Sequence, residues 1–246
     1  MYAIKTVALT KKYKDLTAVN ALDLTVKDGE FFSLLGVNGA GKTTTVKMLS
    51  TLTRPTSGDA FVYDRSIITE PDEVKKLIDI SMQETAIARN LTAAENIAFY
   101  CELNGLKKDE TQKMKEDLYD KFGLNAVADK KAAKLSGGWQ RKLSIALALI
   151  SEPKLLFLDE PTLGLDVIAR RELWGLLRAL KGKITVVLTT HYMEEAEALS
   201  DKIGVMCDGR LLFCGTKEQM YERTGKSDVE NAFISIVETY KTKGGL

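Results

Sequence analysis

The glycine-rich segment at residues 36–43, with the sequence GVNGAGKT, carries the clearest chemical potential in the chain. Its pattern, G-x-x-x-x-G-K-[ST], lets bare backbone N–H groups wrap around phosphate groups in front of a helix N-terminus. Lys42 is expected to reach the β and γ phosphates of a nucleotide, and the Thr43 hydroxyl is expected to bind Mg²⁺. The residues in and beside this phosphate loop that we expect to contact the nucleotide are Gly36, Asn38, Gly39, Ala40, Gly41, Lys42, Thr43 and Thr44.

Two adjacent acids, Asp159 and Glu160, end an apolar stretch at residues 154–158. A carboxylate at the carboxyl end of a parallel strand lies beside such a phosphate loop, so Asp159 is expected to hold Mg²⁺ through the water shell of the ion. Glu160 points in another direction and is expected to polarise the attacking water. Apolar strands that end in acids are common, and this pair becomes informative because the chain also contains the phosphate loop.

A second helix start with glycines lies at residues 135–140, LSGGWQ. Ser136 is expected to cap this helix. Gly137 and Gly138 each weaken its first turn by up to about 1 kcal/mol relative to alanine, a penalty that is understandable if the bare backbone must approach a phosphate. The sequence therefore predicts a second helix N-terminus that faces phosphate.

Strands and helices must position these residues. The first strands are predicted within residues 1–35, where apolar and polar residues alternate, and the strand at residues 31–35 is apolar enough to be buried on both faces. Because several later strands are separated by helices, the pattern indicates an α/β fold. The later strands are predicted at residues 59–63, 78–82, 155–158, 184–188, 202–207 and 211–214.

Residues 84–134 show only helical periodicity, which we interpret as a helical insertion into the α/β body. The TAAE sequence at residues 92–95 is spaced as a capping box, and a second helix is predicted at residues 108–122. The SDVE sequence at residues 227–230 predicts the same kind of cap for the last helix, at Ser227. The chain is thus predicted to form a single domain that consists of a nucleotide-binding α/β core at residues 1–83 and 135–216, the helical insertion at residues 84–134 and C-terminal helices at residues 217–246.

The composition of the 246 residues excludes several classes of protein. With 45% hydrophobic and 28% charged residues, it is typical of a globular protein. Its 35 basic and 34 acidic side chains nearly balance, so no net field would draw the protein to nucleic acid. No apolar run approaches the roughly 20 residues of a membrane-spanning helix, and the N-terminus lacks the apolar stretch of a signal peptide, so we expect a cytoplasmic chain.

The sequences GVNGAGKTT, LSGGWQ and LLFLDEP, in this order, resemble those of the ATP-binding subunit of an ABC transporter, and the resemblance covers essentially the whole chain. It implies ATP and Mg²⁺ as cofactors and an α/β fold, in which a P-loop NTPase core carries an N-terminal antiparallel β subdomain and an inserted α-helical subdomain. In that family the LSGG turn of one subunit closes over the γ-phosphate bound to the phosphate loop of the other. Ser136, Gly137 and Gly138 are accordingly expected to contact nucleotide across a dimer.

The resemblance also implies roles for single side chains. Tyr13 is expected to stack on adenine, and Gln83 is expected to sense the γ-phosphate and Mg²⁺. Asp166 matches the aspartate of the loop that links the two active sites, and His191 matches the switch histidine that contacts the γ-phosphate. Trp139 stands where many relatives have glutamine, and we assign it no chemistry. The implied catalytic residues are Lys42, Gln83, Glu160 and His191, and the implied metal-binding residues are Thr43, Gln83 and Asp159.

A finer resemblance, to the ATP-binding subunits of drug, sodium and antibiotic-resistance exporters, rests on local sequences such as HYMEEAEALSDKIGVMCDGRLLFCGT. It implies that a homodimer or heterodimer on the inner face of the cell membrane hydrolyses ATP to drive export through a separate integral-membrane subunit. We expect that subunit to dock at residues 83–105. The helix there carries Ile97, Phe99, Tyr100 and Leu103, which are either all core residues or partly exposed for binding.

Two other functions are open at this point. The same ATPase could serve DNA repair or translation instead of transport, without a membrane partner. DNA repair needs a long coiled coil before LSGG, and a translation factor usually has two ATPase units in one chain; the sequence shows neither. A nucleotide-binding regulator that does not hydrolyse ATP would lack the water-activating acid, whereas Glu160 is present.

Overall fold

The computed structural model describes residues 1–242 and 244, and the predicted strands and helices are present in it with slightly shifted boundaries. The strands are β1 (Tyr2–Tyr13), β2 (Leu16–Leu22), β3 (Thr25–Lys27), β4 (Phe31–Gly36), β5 (Ser57–Val62), β6 (Arg65–Ser66), β7 (Ile78–Ser81), β8 (Leu155–Asp159), β9 (Thr185–Thr190), β10 (Lys202–Cys207) and β11 (Arg210–Gly215). The helices are α1 (Lys42–Leu49), α2 (Pro71–Lys75), α3 (Ala93–Leu103), α4 (Lys108–Phe122), α5 (Gly137–Ala148), α6 (Val167–Arg178), α7 (Met193–Leu199), α8 (Lys217–Thr224) and α9 (Val229–Thr242).

The first sheet is antiparallel, with the strand order β2-β1-β5-β6, and β3 also pairs with β1. Apolar positions such as Ile4, Leu22 and Val62 are fully buried, whereas many residues between them are exposed. This alternation is expected of an antiparallel sheet with one face on a core. The sheet is the antiparallel β subdomain that the sequence resemblance implies.

The second sheet has the order β11-β10-β4-β9-β8-β7 and is parallel except for the hairpin of β10 and β11. Strands β4, β8 and β9 are buried throughout, because mainly apolar residues occupy both of their faces. Parallel pairing aligns their carboxyl ends, with Leu35 opposite Thr190 and Asp159 opposite Thr189. The strand that leads into the phosphate loop therefore ends close to the two predicted acids.

Helices α3, α4 and α5 pack around a core that includes Ile97, Leu118 and Leu143. Thr92 and Glu95 form the expected capping box of α3, and α4 has the predicted bounds. The division of the chain at residues 84 and 134 stays a prediction. None of the described helices is both long enough and apolar enough to span a bilayer.

The start of α9 differs from the sequence prediction. Asp228 accepts hydrogen bonds from the backbone N–H of Asn231, at 2.8 Å, and from the side-chain amide of Asn231, at 2.9 and 3.1 Å. The capping box predicted for Ser227 and Glu230 is therefore wrong, and the cap lies one residue later. The physical reason is that aspartate and serine are about equally good N-cap residues, so their order in the sequence does not decide between them.

Candidate functional site

The phosphate loop lies between β4, which ends at Gly36, and α1, which begins at Lys42. Two glycines of the loop are needed because the neighbouring backbone leaves no room for a side chain. A Cβ atom at Gly36 would lie 2.6 Å from the carbonyl oxygen of Met206, and one at Gly41 would lie 2.4 Å from that of Ala18. Gly41 also has a φ of 102°, which favours glycine. The loop is thus held closely against β10 and β2.

Lys42 is almost fully buried at the start of α1. Its ammonium group donates hydrogen bonds to the carbonyl oxygens of Gly36, at 2.8 Å, and Val37, at 3.2 Å. It also lies 3.2 Å from Glu160 Oε1. The cation is therefore at the loop itself, in a position from which a lysine can reach bound phosphates.

Asp159 is fully buried at the end of β8, and its two carboxylate oxygens differ. Oδ1 accepts hydrogen bonds from the hydroxyls of Thr43, at 3.1 Å, and Thr189. Oδ2 is buried and has no hydrogen-bond partner among the described residues. A buried carboxylate oxygen without a partner is unfavourable, and together with a nearby hydroxyl it offers the oxygen ligands that Mg²⁺ prefers. The residues present therefore fit a magnesium ion.

Glu160 follows β8 with a positive φ of 47°. Such a conformation costs a non-glycine residue on the order of 1–3 kcal/mol and is concentrated at functional sites. Its backbone N–H donates to both the carbonyl and the hydroxyl oxygen of Thr189, each at 3.1 Å. Its carboxylate lies between Lys42 and His191, whose Nδ1 is 2.9 Å from Oε2, within ion-pair distance but without the geometry of a hydrogen bond. The acid is thus aimed at the phosphate loop from the strand end.

A cavity of 470 Å³ opens over the phosphate loop, and it brings most of the predicted nucleotide-binding residues together. Tyr13, at the end of β1, is 43% exposed, and the ammonium group of Lys11 lies 5.0 Å from the centre of its ring. Leu16, Ala18 and Leu163 also line the cavity, although the motifs do not point to them. The predicted residues that line it are Tyr13, Asn38, Gly39, Ala40, Gly41, Lys42, Thr43, Thr44, Gln83, Glu160 and His191.

Ser136, Gly137 and Gly138 lie elsewhere, at the start of α5. Ser136 is at the predicted N-cap position of α5. Its hydroxyl makes no capping hydrogen bond within the described part of the chain, so the expected cap by its side chain is wrong. A Cβ atom at Gly138 would lie only 3.1 Å from Ala169 Cβ, whereas one at Gly137 would make an ordinary contact of 3.7 Å with Leu165. Packing inside the chain therefore explains Gly138 and leaves Gly137 unexplained.

Asp166 is the N-cap of α6. Its carboxylate accepts hydrogen bonds from the backbone N–H groups of Ile168 and Ala169, both at 2.9 Å. The next residues, Val167 and Ile168, are 64% and 73% exposed. Within one chain, Asp166 thus has a structural partner and lies beside an apolar surface that the chain itself leaves open.

The motifs do not point to Arg141 of α5, yet it connects several of them. Its buried guanidinium donates hydrogen bonds to the carbonyl oxygens of Met82, at 2.6 Å, Gln83, at 2.9 Å, and Glu160, at 3.3 Å. Burial lowers the pKa of Arg141, and nearby carboxyl groups oppose this effect. A sequence signal exists, because Arg141 directly precedes the mainly apolar part of α5, and a buried arginine must find acceptors.

Thr189 of β9 is likewise outside the motifs. Its hydroxyl donates to Asp159 and accepts from the backbone N–H of Glu160. One threonine on the neighbouring strand therefore orients both acids. Threonine is common in strands for its shape alone, so the sequence contains no sign of this role.

Comparison with known proteins agrees with this geometry. The family model described as "ABC transporter" matches residues 19–163. The daunorubicin/doxorubicin resistance ATP-binding protein DrrA of Streptomyces peucetius is 40% identical over 226 residues, which make up 92% of this chain and 68% of that protein. Further relatives are plant and mammalian proteins, and this chain spans 12% to 24% of their length.

Two solved structures share the fold. The ATP-binding subunit of an ABC transporter has a TM-score of 0.85 and 25% identity, over 96% of this chain and 99% of that one. A dimeric ATP-binding cassette in a post-hydrolysis state, bound to ADP and Pi, has a TM-score of 0.78 and 28% identity, over 87% and 98%. Since sequence, fold and site geometry coincide, the chain belongs to the ABC transporter family and is an ABC-type ATPase.

Proposed function

We propose that the chain is the ATP-hydrolysing subunit of an exporter, that two such subunits act together on the cytoplasmic face of a membrane, and that they drive a separate integral-membrane subunit. The observation that carries the proposal is the position of the Glu160 carboxylate at the phosphate loop, between Lys42 and His191. Similarity to a drug-resistance ATP-binding protein supports export of a small drug-like molecule.

ATP occupies the cavity over the phosphate loop in this proposal. The Tyr13 ring stacks on adenine, because a partly exposed aromatic ring can offer such a contact. The loop backbone and the N-terminus of α1 bind the phosphates, and Lys42 exchanges its carbonyl partners for the β and γ phosphate oxygens. The proposal is supported by the fact that these groups line a single cavity.

We propose that the Thr43 hydroxyl and Asp159 would hold Mg²⁺, and Gln83 lines the same cavity as Thr43. The ion would neutralise charge on the β and γ phosphates. Asp159 Oδ2, which lacks a hydrogen-bond partner in the part of the chain described, is the oxygen available for it or its water shell. Thr189 holds the other oxygen in place.

Hydrolysis requires a group that polarises water in line with the γ-phosphate. Glu160 is that group in our proposal, since its carboxylate lies at the loop and its backbone is held on both sides by Thr189 and Arg141. His191 lies close enough to Oε2 to orient the acid and to contact the γ-phosphate. Gln83 reports the occupied state to α5, because Arg141 ties the Gln83 backbone to that helix. Helix α5 in turn packs against α3 and α4 of the helical insertion.

A second subunit is proposed to complete the site with Ser136 and Gly137. Two observations support this: the Ser136 hydroxyl is not used for capping among the described residues, and the chain's own packing does not require glycine at 137. The exposed apolar pair Val167 and Ile168, beside Asp166, offers further surface for the same contact. A structural relative that has bound ADP and Pi is itself dimeric.

The membrane subunit is proposed to dock on residues 83–105. Ile97 is fully buried, whereas Phe99 is 44% and Leu103 66% exposed, so the alternative in which all the apolar residues of α3 are core is wrong. Exposed apolar side chains on one helix favour a protein contact. Because the stretch starts at Gln83, nucleotide state at one end can change partner contacts at the other.

The test is to express the chain with its membrane subunit, purify the complex and measure doxorubicin uptake into inverted membrane vesicles. Leu103→Asp should abolish co-purification while the isolated chain keeps its ATPase activity. The matched control is Leu52→Asp, which changes another leucine that is 59% exposed, outside α3. Normal assembly of both Leu103→Asp and Phe99→Asp would refute the docking surface, and ATP hydrolysis by the complex without uptake of doxorubicin or any other drug would refute drug export.

A further inference from the structure

A fully buried carboxyl group lies in the helix that follows His191, and the mechanism proposed above does not use it. This group belongs to Glu195 of α7. Its Oε1 accepts a hydrogen bond from Trp174 Nε1 at 3.0 Å. Its Oε2 is buried and has no hydrogen-bond partner among the residues described. Since buried carboxyl oxygens are nearly always hydrogen-bonded, this oxygen calls for an explanation.

The hydroxyls that face this carboxyl group come from the two segments that carry the proposed catalytic residues. Burial raises the pKa of Glu195, and the nearby side chains of Thr190 and Thr162 lower it. Thr190 directly precedes His191, and Thr162 shortly follows Glu160. Thr162 Oγ1 is also buried and without a partner in the described part of the chain, so a hydrogen bond to Glu195 Oε2 would satisfy both atoms.

Two side chains of helix α6, Trp174 and Arg170, also lie near this carboxyl group. The positive charge of Arg170 acts on Glu195 and lowers its pKa. The guanidinium of Arg170 lies 4.4 Å from the ring centre of Tyr192, and that ring lies 4.2 Å from the ring of His191. A continuous set of contacts therefore runs from α6 to His191 and passes beside Glu195.

We propose that Glu195 is a positioning residue. Its carboxyl group connects three parts of the chain, namely the segment of Glu160, the segment of His191 and helix α6, and so sets the distance between Glu160 and His191. The proposal rests on the catalytic roles proposed above for Glu160 and His191. Glu195 is fully buried and acts through Thr162 and Thr190. Its loss should therefore affect turnover and leave ATP binding intact, because the nucleotide-binding groups lie on other elements.

The experiment is steady-state ATP hydrolysis by the full chain and its variants. Glu195→Ala should lower kcat about tenfold and leave the KM for ATP within about twofold. Glu195→Gln should restore at least about half of the wild-type kcat, because glutamine keeps an acceptor for Trp174 and supplies a donor for the Thr162 hydroxyl. Glu194→Ala, which changes the exposed neighbour in the same helix, is the matched control and should leave both constants unchanged.

A double variant separates positioning from simple loss of stability. If Glu195 acts through His191, Glu195→Ala should have little further effect on kcat in a His191→Ala background. Effects that multiply, or a lower melting temperature with an unchanged kcat, would overturn the proposal. If Glu195→Ala does not fold, Trp174→Phe carries the test, and wild-type kcat in that variant would overturn it. Wild-type kcat in His191→Ala would instead refute the role of His191, and with it this inference.

Discussion

Lys42 Nζ and Glu160 Oε1 lie 3.2 Å apart, and both side chains are at most 10% exposed. A buried ion pair of this kind couples its partners, because removing one leaves the other charge unpaired. Binding of phosphates would give Lys42 new partners and release the Glu160 carboxylate toward water. In the mechanism we propose, the ion pair thus couples nucleotide binding to the availability of the Glu160 carboxylate.

Glu160→Gln should retain MgATP binding and lower kcat by about 100-fold or more, because general bases typically contribute that much to catalysis. The ATP-bound dimer should then accumulate and elute earlier on gel filtration. Glu194→Gln, at an exposed position, serves as the control and should hydrolyse ATP normally. Turnover of Glu160→Gln within a few-fold of wild type would show that another group polarises the water.

Mixing two inactive variants tests whether each site is shared between chains. Lys42→Ala removes the cation at the phosphate loop, and Ser136→Arg blocks the start of α5. Each variant alone should be inactive, whereas their mixed dimer has one site in which both elements are intact and should hydrolyse ATP measurably. Native mass spectrometry establishes that mixed dimers form, and inactivity of such dimers would contradict the shared site.

The two glycines at the start of α5 should respond differently to alanine. The structure has room for the methyl group of Gly137→Ala. The melting temperature of this variant should stay the same or rise, because alanine favours a helix over glycine by up to about 1 kcal/mol. Its ATPase activity should nevertheless fall, because the methyl group would stand between backbone and phosphate. Gly138→Ala should show less gain in stability or none, since its Cβ would meet Ala169 at 3.1 Å. Wild-type turnover by Gly137→Ala would remove the argument for a phosphate contact there.

Arg141→Lys should lower kcat about tenfold and also reduce the melting temperature. Lysine cannot reproduce the planar set of donors of arginine, and each hydrogen bond from a charged group contributes about 1.5–3 kcal/mol to stability. Arg171→Lys, at an exposed position on α6, is the control for the change of residue type. Measurement of kcat and thermal unfolding on both variants decides the matter. Equal kcat values would mean that the carbonyl contacts of Arg141 are structural only.

Local sequence was sufficient to predict the elements and the residues of the phosphate loop, since hydrophobic periodicity and glycine spacing act over short distances along the chain. The partners of those residues depend on the order of the strands. Thr189 meets Asp159 because β9 lies next to β8, and Arg141 meets Gln83 because α5 packs near the end of β7. No local pattern contains either relationship.

Where local patterns were ambiguous, tertiary packing decided between them. The N-cap preference fits both Ser227 and Asp228, and the hydrogen bond to Asn231 selects the second. Periodicity on α3 does not reveal that Ile97 faces the core while Phe99 and Leu103 stay exposed. Ile97 belongs to the core cluster that also contains residues of α4 and α5, whereas Phe99 and Leu103 do not.

The hydrogen bonds of Arg141 to Met82, Gln83 and Glu160 all go to main-chain carbonyl oxygens. Every amino acid provides such an oxygen, so the side chain of Met82 can change without loss of its bond, whereas Arg141 cannot be replaced. Mutational tolerance should therefore be one-sided, high at Met82 and low at Arg141. Hydrogen bonds to main-chain carbonyl oxygens would let transporters evolve new membrane partners while the connection between Arg141 and the ATPase site stays the same.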